Sequence, residues 1–363
     1  MLTGKGNGRL SMGSFLDNPF QRAALLGLLT NTPHRPPATT LLGLSIWDPV
    51  PGYRSRQEWN ERFAHWERSE SDAETQRIER VRNMVEQALG MNSWLASEGA
   101  RIIPQGSFTN RTNTRLDADI DLRVQHPVLK LQYDYGVNQF DAYREGGYYS
   151  AGSSYGELNS MMRSQIGSQL IGAFGRAAVD LTGKKAIRVK GLDGSRGEVD
   201  VVPCFTLHHI RGQTILGRYT ANGTAILSTV GKWTLNYPDH HAANGIAKRL
   251  STKLQFKRVV RIVKRLRADM TDRGILKVEV PSFLVECLVY LAEDQYFTVE
   301  SDDRYDRVKR VLRRVSEILD GGLYVFILNE INGIKPLFGS DQAWTLDNAR
   351  SFVKSAVGHL GDA

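Results

Sequence analysis

Gly106-Ser107-Phe108-Thr109-Asn110-Arg111-Thr112 and, shortly after, Asp117-Ala118-Asp119-Ile120-Asp121-Leu122 carry most of what this sequence says about itself. The apolar run from Arg101 to Pro104 predicts a short strand, so Gly106-Ser107 is the turn that leaves it. Such a turn presents backbone N–H groups and a hydroxyl suited to phosphate oxygens. Ile120 to Val124 has strand character, and aspartates two apart on a strand point to the same side. Like-facing carboxylates repel unless a cation neutralises them. Mg²⁺ held by carboxylates and substrate phosphates is the usual solution. Either signal alone is weak: Gly-Ser is commonly a plain turn, and Asp-x-Asp-x-Asp is commonly a solvated or Ca²⁺-binding loop. The EF-hand form is excluded because Leu122 stands where a glycine is needed and Pro127 to Lys130 supply no glutamate. Asp119 and Asp121 follow Ser107 by 12 and 14 residues, and the two signals together are far more specific than either.

Further along, Gly197-Glu198-Val199-Asp200-Val201-Val202-Pro203 adds a third acid. The valines predict a buried strand that Pro203 ends. A carboxylate there is costly without a metal or a partner charge, and a salt bridge to a nearby basic residue is the plain alternative. Glu198 shares the face, but Asp200 has the more buried setting. Ala186–Val189 and Gly197–Phe205 predict a hairpin around Asp193-Gly194-Ser195. Ile78, Val81, Met84, Val85 and Leu89 mark a helix closed by Gly90, within a helical pattern that begins at Gln57. A second helix is expected from Leu158 to Phe174, and the chain is mostly helical after Asn244. Residues 1–56, rich in Gly, Pro, Thr and Asn, read as a poorly ordered tail with at most a short helix around Gln21 to Leu29. Tyr133 to Tyr155 reads as a loop or surface insertion. The order predicts an α+β chain: a mixed-sheet catalytic lobe over residues 57–243, opening on a long helix, and an α-helical lobe over 244–363.

Composition narrows the setting. With 363 residues and 41% apolar content, the chain can build a sizeable core. It contains no apolar run long enough to span a membrane, and two cysteines 83 positions apart exclude a disulfide framework. A reducing, cytoplasmic location is expected. The formal charge of +8 favours anionic partners without choosing among nucleotides, nucleic acid and lipid.

Gly106-Ser107, Asp119, Asp121 and the distant Asp200 together resemble the polymerase-beta-like nucleotidyltransferase superfamily. Within it the chain is most similar to the cyclic-oligonucleotide synthases: the cyclic GMP-AMP synthase, oligoadenylate synthase and bacterial CD-NTase group. The Pro-Gln-Gly-Ser-Phe opening and the Val-Asp-Val-Val-Pro strand have a bacterial look, and the resemblance covers about residues 57–355. It implies a two-lobed nucleotidyltransferase. Gly106 and Ser107 would hold the donor triphosphate; Asp119 and Asp121 would bind two Mg²⁺ ions, with Mn²⁺ as a substitute; and Asp200 would complete the site. Asp117 would be accessory. Lys264, just outside the apolar stripe Phe256, Val259, Val260, Val263 and Leu266, would reach the triphosphate from the border of the core. Against that, Arg258, Arg261, Lys264 and Arg265 also read as a solvated basic face. Ser282, a plausible N-cap, and Phe283 would contact phosphate and base. His208, His209, His240 and His241 read most simply as loop residues, and Cys287 as inert core.

The resulting expectation is an enzyme that condenses NTPs, ATP among them, into a cyclic di- or trinucleotide and releases pyrophosphate. By resemblance the product is a second messenger in bacterial anti-phage signalling, read by an effector protein. A regulatory protein or nucleic acid would activate a monomeric core away from membranes. Two rivals stay open: a template-independent RNA, tRNA-end or small-molecule nucleotidyltransferase, and a catalytically silent nucleotide-binding module. Base identity, ring size and linkage have no code in the sequence.

Overall fold

The computed structural model describes residues 55–69, 72–114, 120–148, 152, 154–192, 197–214, 217–299 and 302–361. The expected tail therefore lies outside the described residues up to 54, and so do Asp117 and Asp119.

The helical pattern from Gln57 is two helices. α1 (Arg56–Trp66) starts at a capping box in which Ser55 and Glu58 satisfy each other's backbone donors. α2 (Asp72–Gly90) buries Ile78, Val81, Val85 and Leu89, while Met84 falls outside that stripe and is exposed. After α3 (Ser93–Ser97) come β1 (Arg101–Gln105), the single turn α4 (Gly106–Thr109) and β2 (Ile120–Tyr133). The expected insertion after β2 contains α5 (Gln139–Glu145). Then follow α6 (Tyr155–Phe174), β3 (Val179–Asp180), β4 (Ile187–Val189), β5 (Val199–Thr214), β6 (Gly217–Leu227) and β7 (Trp233–Asn236). The helices α7 (Pro238–Ser251), α8 (Gln255–Asp272), α9 (Ser282–Leu291), α10 (Arg304–Leu319) and α11 (Leu346–His359) complete the chain.

The seven strands form one mixed sheet in the order β1-β2-β5-β4-β3, with β6 also on β5 and β7 on β6. Among the described residues only β2 and β5 run parallel. The hairpin of β4 and β5 is present, with its turn, 193–196, outside the described residues. Pro203 does not end β5. The strand changes partners there: β4 pairs as far as Val201 and β6 begins at Phe205, so on that side the missing N–H interrupts no ladder. Pro104 is tolerated in β1, an edge strand.

Strand alternation sorts the sheet's two faces. Ile120, Leu122 and Val124 of β2, with Val199 and Val201 of β5, enter one core with α2 and α6. The intervening residues, Asp121, Arg123 and Gln125 on β2 and Asp200, Val202 and Cys204 on β5, therefore belong to the opposite face. A second core joins α8, α9, α10 and α11 with Trp59, Phe63 and Trp66 of α1, so the first helix of the described chain packs among the last. Among the described residues no helix is long and apolar enough to cross a membrane.

Candidate active site

β2 and β5 pair in parallel with Asp121 opposite Asp200, which sets both carboxylates side by side on the same face. Gln105 of β1 lies opposite Asp121, so the chain enters the Gly106-Ser107 turn directly beside that carboxylate. Gly106 has φ +80°, and a Cβ there would overlap Asp121 Oδ2 and lie 2.9 Å from its Cγ. Both the backbone conformation and the close approach require glycine. Of the expected set, the structure thus brings Gly106, Ser107, Asp121 and Asp200 together. Asp119 lies outside the described residues.

Asp200 has a protein partner. Arg188, opposite it on β4, donates from Nε to Oδ1 at 2.9 Å and from Nη2 to Oδ2 at 3.3 Å, and its Nη1 lies 3.1 Å from Glu198 Oε1. The salt bridge considered as the plain alternative is therefore present. The Arg188 side chain is 48% exposed and that of Asp200 23%, so water reaches the pair.

The turn is held from behind. Thr112 N–H donates to the Ser107 carbonyl at 2.9 Å, and Arg111, with φ 55°, is fixed by Arg261 Nη1 on its carbonyl at 2.7 Å. Thr112 Oγ1 donates to Glu286 Oε1 at 2.7 Å.

The expectations for α8 and α9 need correction. Lys264 does not sit at the border of the core: it is 2% exposed, with Nζ 2.5 Å from Glu286 Oε1. Arg261 and Arg265 are buried too, and they donate to the Glu67, Arg111, His65 and Trp66 carbonyls. The face that reads as solvated and basic is largely an internal clamp on the end of α1, because free carbonyls at a helix C-terminus supply acceptors for guanidinium groups. Ser282 is not the N-cap of α9; Pro281 is, and Ser282 is the first helical residue. Phe283 is 37% exposed and packs between His241 and Trp344, with ring centroids 5.4 and 5.9 Å away.

The histidines are not loop residues. His208 and His209 lie in β5, and His240 and His241 in α7. His209 bridges Asp134 Oδ1 at 2.7 Å and the Tyr237 hydroxyl at 2.6 Å; burial lowers its pKa, against the opposing pull of Asp134. Cys287 is inert core as expected, its thiol pushed up by burial.

Glu286 and Thr112, which the structure places behind the turn, are not among the residues expected from sequence. The signal was a lone glutamate on a helix otherwise apolar from Phe283 to Leu291, save Tyr290. Arg123, 4% exposed on the carboxylate-bearing face, was missed as well. Its Nη2 reaches both oxygens of Asp239, while Nε and Nη1 have no partner among the described residues.

A model of the cGAS/DncV-like nucleotidyltransferase C-terminal helical domain matches residues 243–361. The cyclic dipyrimidine nucleotide synthase CdnE of Legionella pneumophila is 30% identical over 310 residues, spanning 84% of this chain and 98% of that protein. The chain belongs to the cGAS/DncV-like nucleotidyltransferases. The CdnE of Cecembia lonarensis, also named a cyclic dipyrimidine nucleotide synthase, is 28% identical over 83% of this nucleotidyltransferase and 97% of its own length. The Elizabethkingia meningoseptica CdnE cyclic dinucleotide synthase, solved with GTP and Apcpp, superposes with a TM-score of 0.64 at 24% identity. It covers 84% of this enzyme and 99% of that chain, a likeness of fold. The fold expected from sequence, a mixed-sheet catalytic lobe with an α-helical C-terminal lobe, is the one observed, and the relatives are cyclic-nucleotide synthases.

Proposed function

We propose that this nucleotidyltransferase joins two or three NTPs into a cyclic oligonucleotide at the face formed by Gly106-Ser107, Asp121 and Asp200, releasing pyrophosphate at each bond. The observation that carries the reading is the register that pairs Asp121 with Asp200 beside the turn at Gly106. In each condensation a ribose hydroxyl attacks the α-phosphorus, the P–O bond to the β-phosphate breaks, and the hydroxyl proton passes to solvent or a carboxylate. The first-turn N–H groups of α4 have no partner inside the helix and suit the donor's phosphate oxygens.

The donor set fits magnesium in chemistry, since carboxylate oxygens are hard ligands. Asp121 and Asp200 would hold it, together with Asp119; among the described residues no three His, Cys, Asp or Glu side chains form a metal position. Two bound Mg²⁺ ions would neutralise charge on the attacking and leaving oxygens. Arg188 pairs with Asp200 in this structure, and a bound cation would compete with it for the carboxylate. The anti-phage role, the effector that reads the product, and the cytoplasmic location belong to the same proposal. So does ATP as a substrate, with UTP and CTP suggested by the two relatives named as dipyrimidine synthases.

The test is incubation with α-labelled ATP, GTP, CTP and UTP plus Mg²⁺, followed by phosphatase and separation of products. A phosphatase-resistant product is expected, reduced more than about 100-fold by Asp121→Ala or Asp200→Ala. A product that forms only on an added RNA primer would establish elongation instead and overturn cyclisation.

A further inference from the structure

Glu286 is a buried charge that the proposed chemistry leaves unused. It is 4% exposed on α9, where the other buried residues are Leu284, Val285, Cys287, Leu288 and Val289. One carboxylate there touches three other segments. Oε1 accepts from Lys264 Nζ of α8 at 2.5 Å and from Thr112 Oγ1 at 2.7 Å, and Oε2 lies 3.4 Å from His241 Nε2 of α7. Stability alone does not account for this arrangement, because a buried ion pair often does no better than apolar side chains of similar volume. An acceptor of fixed direction does something an apolar group cannot: it orients the Thr112 hydroxyl. Thr112, 2% exposed, is the residue whose N–H closes the turn on the Ser107 carbonyl.

We infer that Glu286 is a positioning residue for nucleotide binding: through Thr112 it fixes the Gly106-Ser107 turn against the helical layer, with Lys264 as the counter-ion that keeps it charged. The chain of contacts runs from α9 through the Thr112 hydroxyl, along its backbone, to the carbonyl of Ser107. A turn held in this way keeps its donors aimed before the triphosphate arrives, and a misplacement of about 1 Å in such a group can cost on the order of 100-fold. The inference rests on the assignment of Gly106-Ser107 to the donor triphosphate.

Thr112→Val, near-isosteric, deletes the hydroxyl, which lies 2.7 Å from Glu286 Oε1 and 3.5 Å from the Ser107 carbonyl, and leaves the backbone bond in place. Thr112→Ser restores the donor, and Glu286→Gln keeps an acceptor without the charge. The measurements are KM and kcat for the NTPs, equilibrium binding of a non-hydrolysable NTP analogue, and thermal melting. Thr112→Val is expected to weaken analogue binding and raise KM about tenfold while kcat changes less than about threefold. Thr112→Ser returns both to within about twofold. The Thr112→Val/Glu286→Gln double variant binds no worse than the weaker single, since both act through one bond. Wild-type binding by Thr112→Val, failure of serine to restore it, or multiplied effects in the double variant would each overturn the inference. Should Glu286→Gln not fold, the Thr112 pair decides by itself. Ser107→Glu, which sets a repelling carboxylate among the turn's N–H donors, is measured alongside. Unchanged analogue binding in that variant removes the assignment of the turn and the inference with it. Weakened binding there, with wild-type binding in Thr112→Val, removes the positioning role alone.

Discussion

Two opposite-charge pairs lie close to the same turn and strands, and their surroundings set them apart. Arg188 and Asp200 face each other across β4 and β5 with side chains 48% and 23% exposed. Lys264 and Glu286 meet between α8 and α9 with side chains 1% and 5% exposed. The first pair keeps much of its hydration, so its attraction is screened and either partner can be exchanged for another ion at small cost. The second has lost its hydration, and each ion depends on the other. An open carboxylate suits a site that must take up charged ligands; a closed one suits a part that must not move.

The sharpest way to break this comparison is Glu286→Ala. It leaves the Lys264 ammonium buried without its counter-ion and is expected to destabilise the fold by about 3–5 kcal/mol. Urea unfolding measures this, and a loss below about 1 kcal/mol would place the pair in the same class as Arg188–Asp200.

The acid limb of stability should reveal the same pair. Burial raises the Glu286 pKa, but Lys264 and His241 more than offset it and hold the carboxyl down to about 2, against an ordinary 4.5. Because the folded value is depressed, the stabilisation is complete above about 4.5 and lost as pH falls toward 2. The full span is on the order of 3 kcal/mol. Glu286→Gln should flatten this part of the pH–stability curve, and an unchanged slope would show that Glu286 does not carry it.

Arg188→Ala should have the smallest effect. It removes a half-exposed partner and should change stability by no more than about 1 kcal/mol. It also frees Asp200, so the Mg²⁺ concentration for half-maximal product formation should fall by about threefold. A rise instead would make Arg188 part of the site rather than a competitor for it.

The placement of Gly106, Asp121 and Asp200 was readable because its signals are local. Gly106-Ser107 follows a short strand, and a two-residue period fixes which side Asp121 takes. The valines around Asp200 likewise announce its strand. Pro203 misled because a proline's effect depends on which neighbour needs its N–H, and partner exchange between β4 and β6 is a long-range fact. Lys264 misled in a similar way. Helical spacing sets it beside the apolar stripe, but the burial of that border depends on α9 and on the segment at Thr112. His208 and His209 continue the apolar alternation of Phe205 and Leu207 past the expected strand end at Phe205, and His240 and His241 fall in α7 just after Pro238.

Short stretches of consecutive residues set the chemistry on offer: a glycine turn, carboxylates on one face of a strand, and a third acid in a valine-rich strand. These follow from backbone periodicity and from the conformations that glycine and β-branched residues favour, which are properties of a few consecutive residues. Which charges meet depends on long-range packing. The parallel register sets Asp121 against Asp200, the edge of β4 brings Arg188 to Asp200, and the packing of α8 on α9 seals Lys264 onto Glu286. Burial and pairing are sums over residues far apart in the chain, and the same lysine or aspartate is a ligand, a counter-ion or a strut according to that sum.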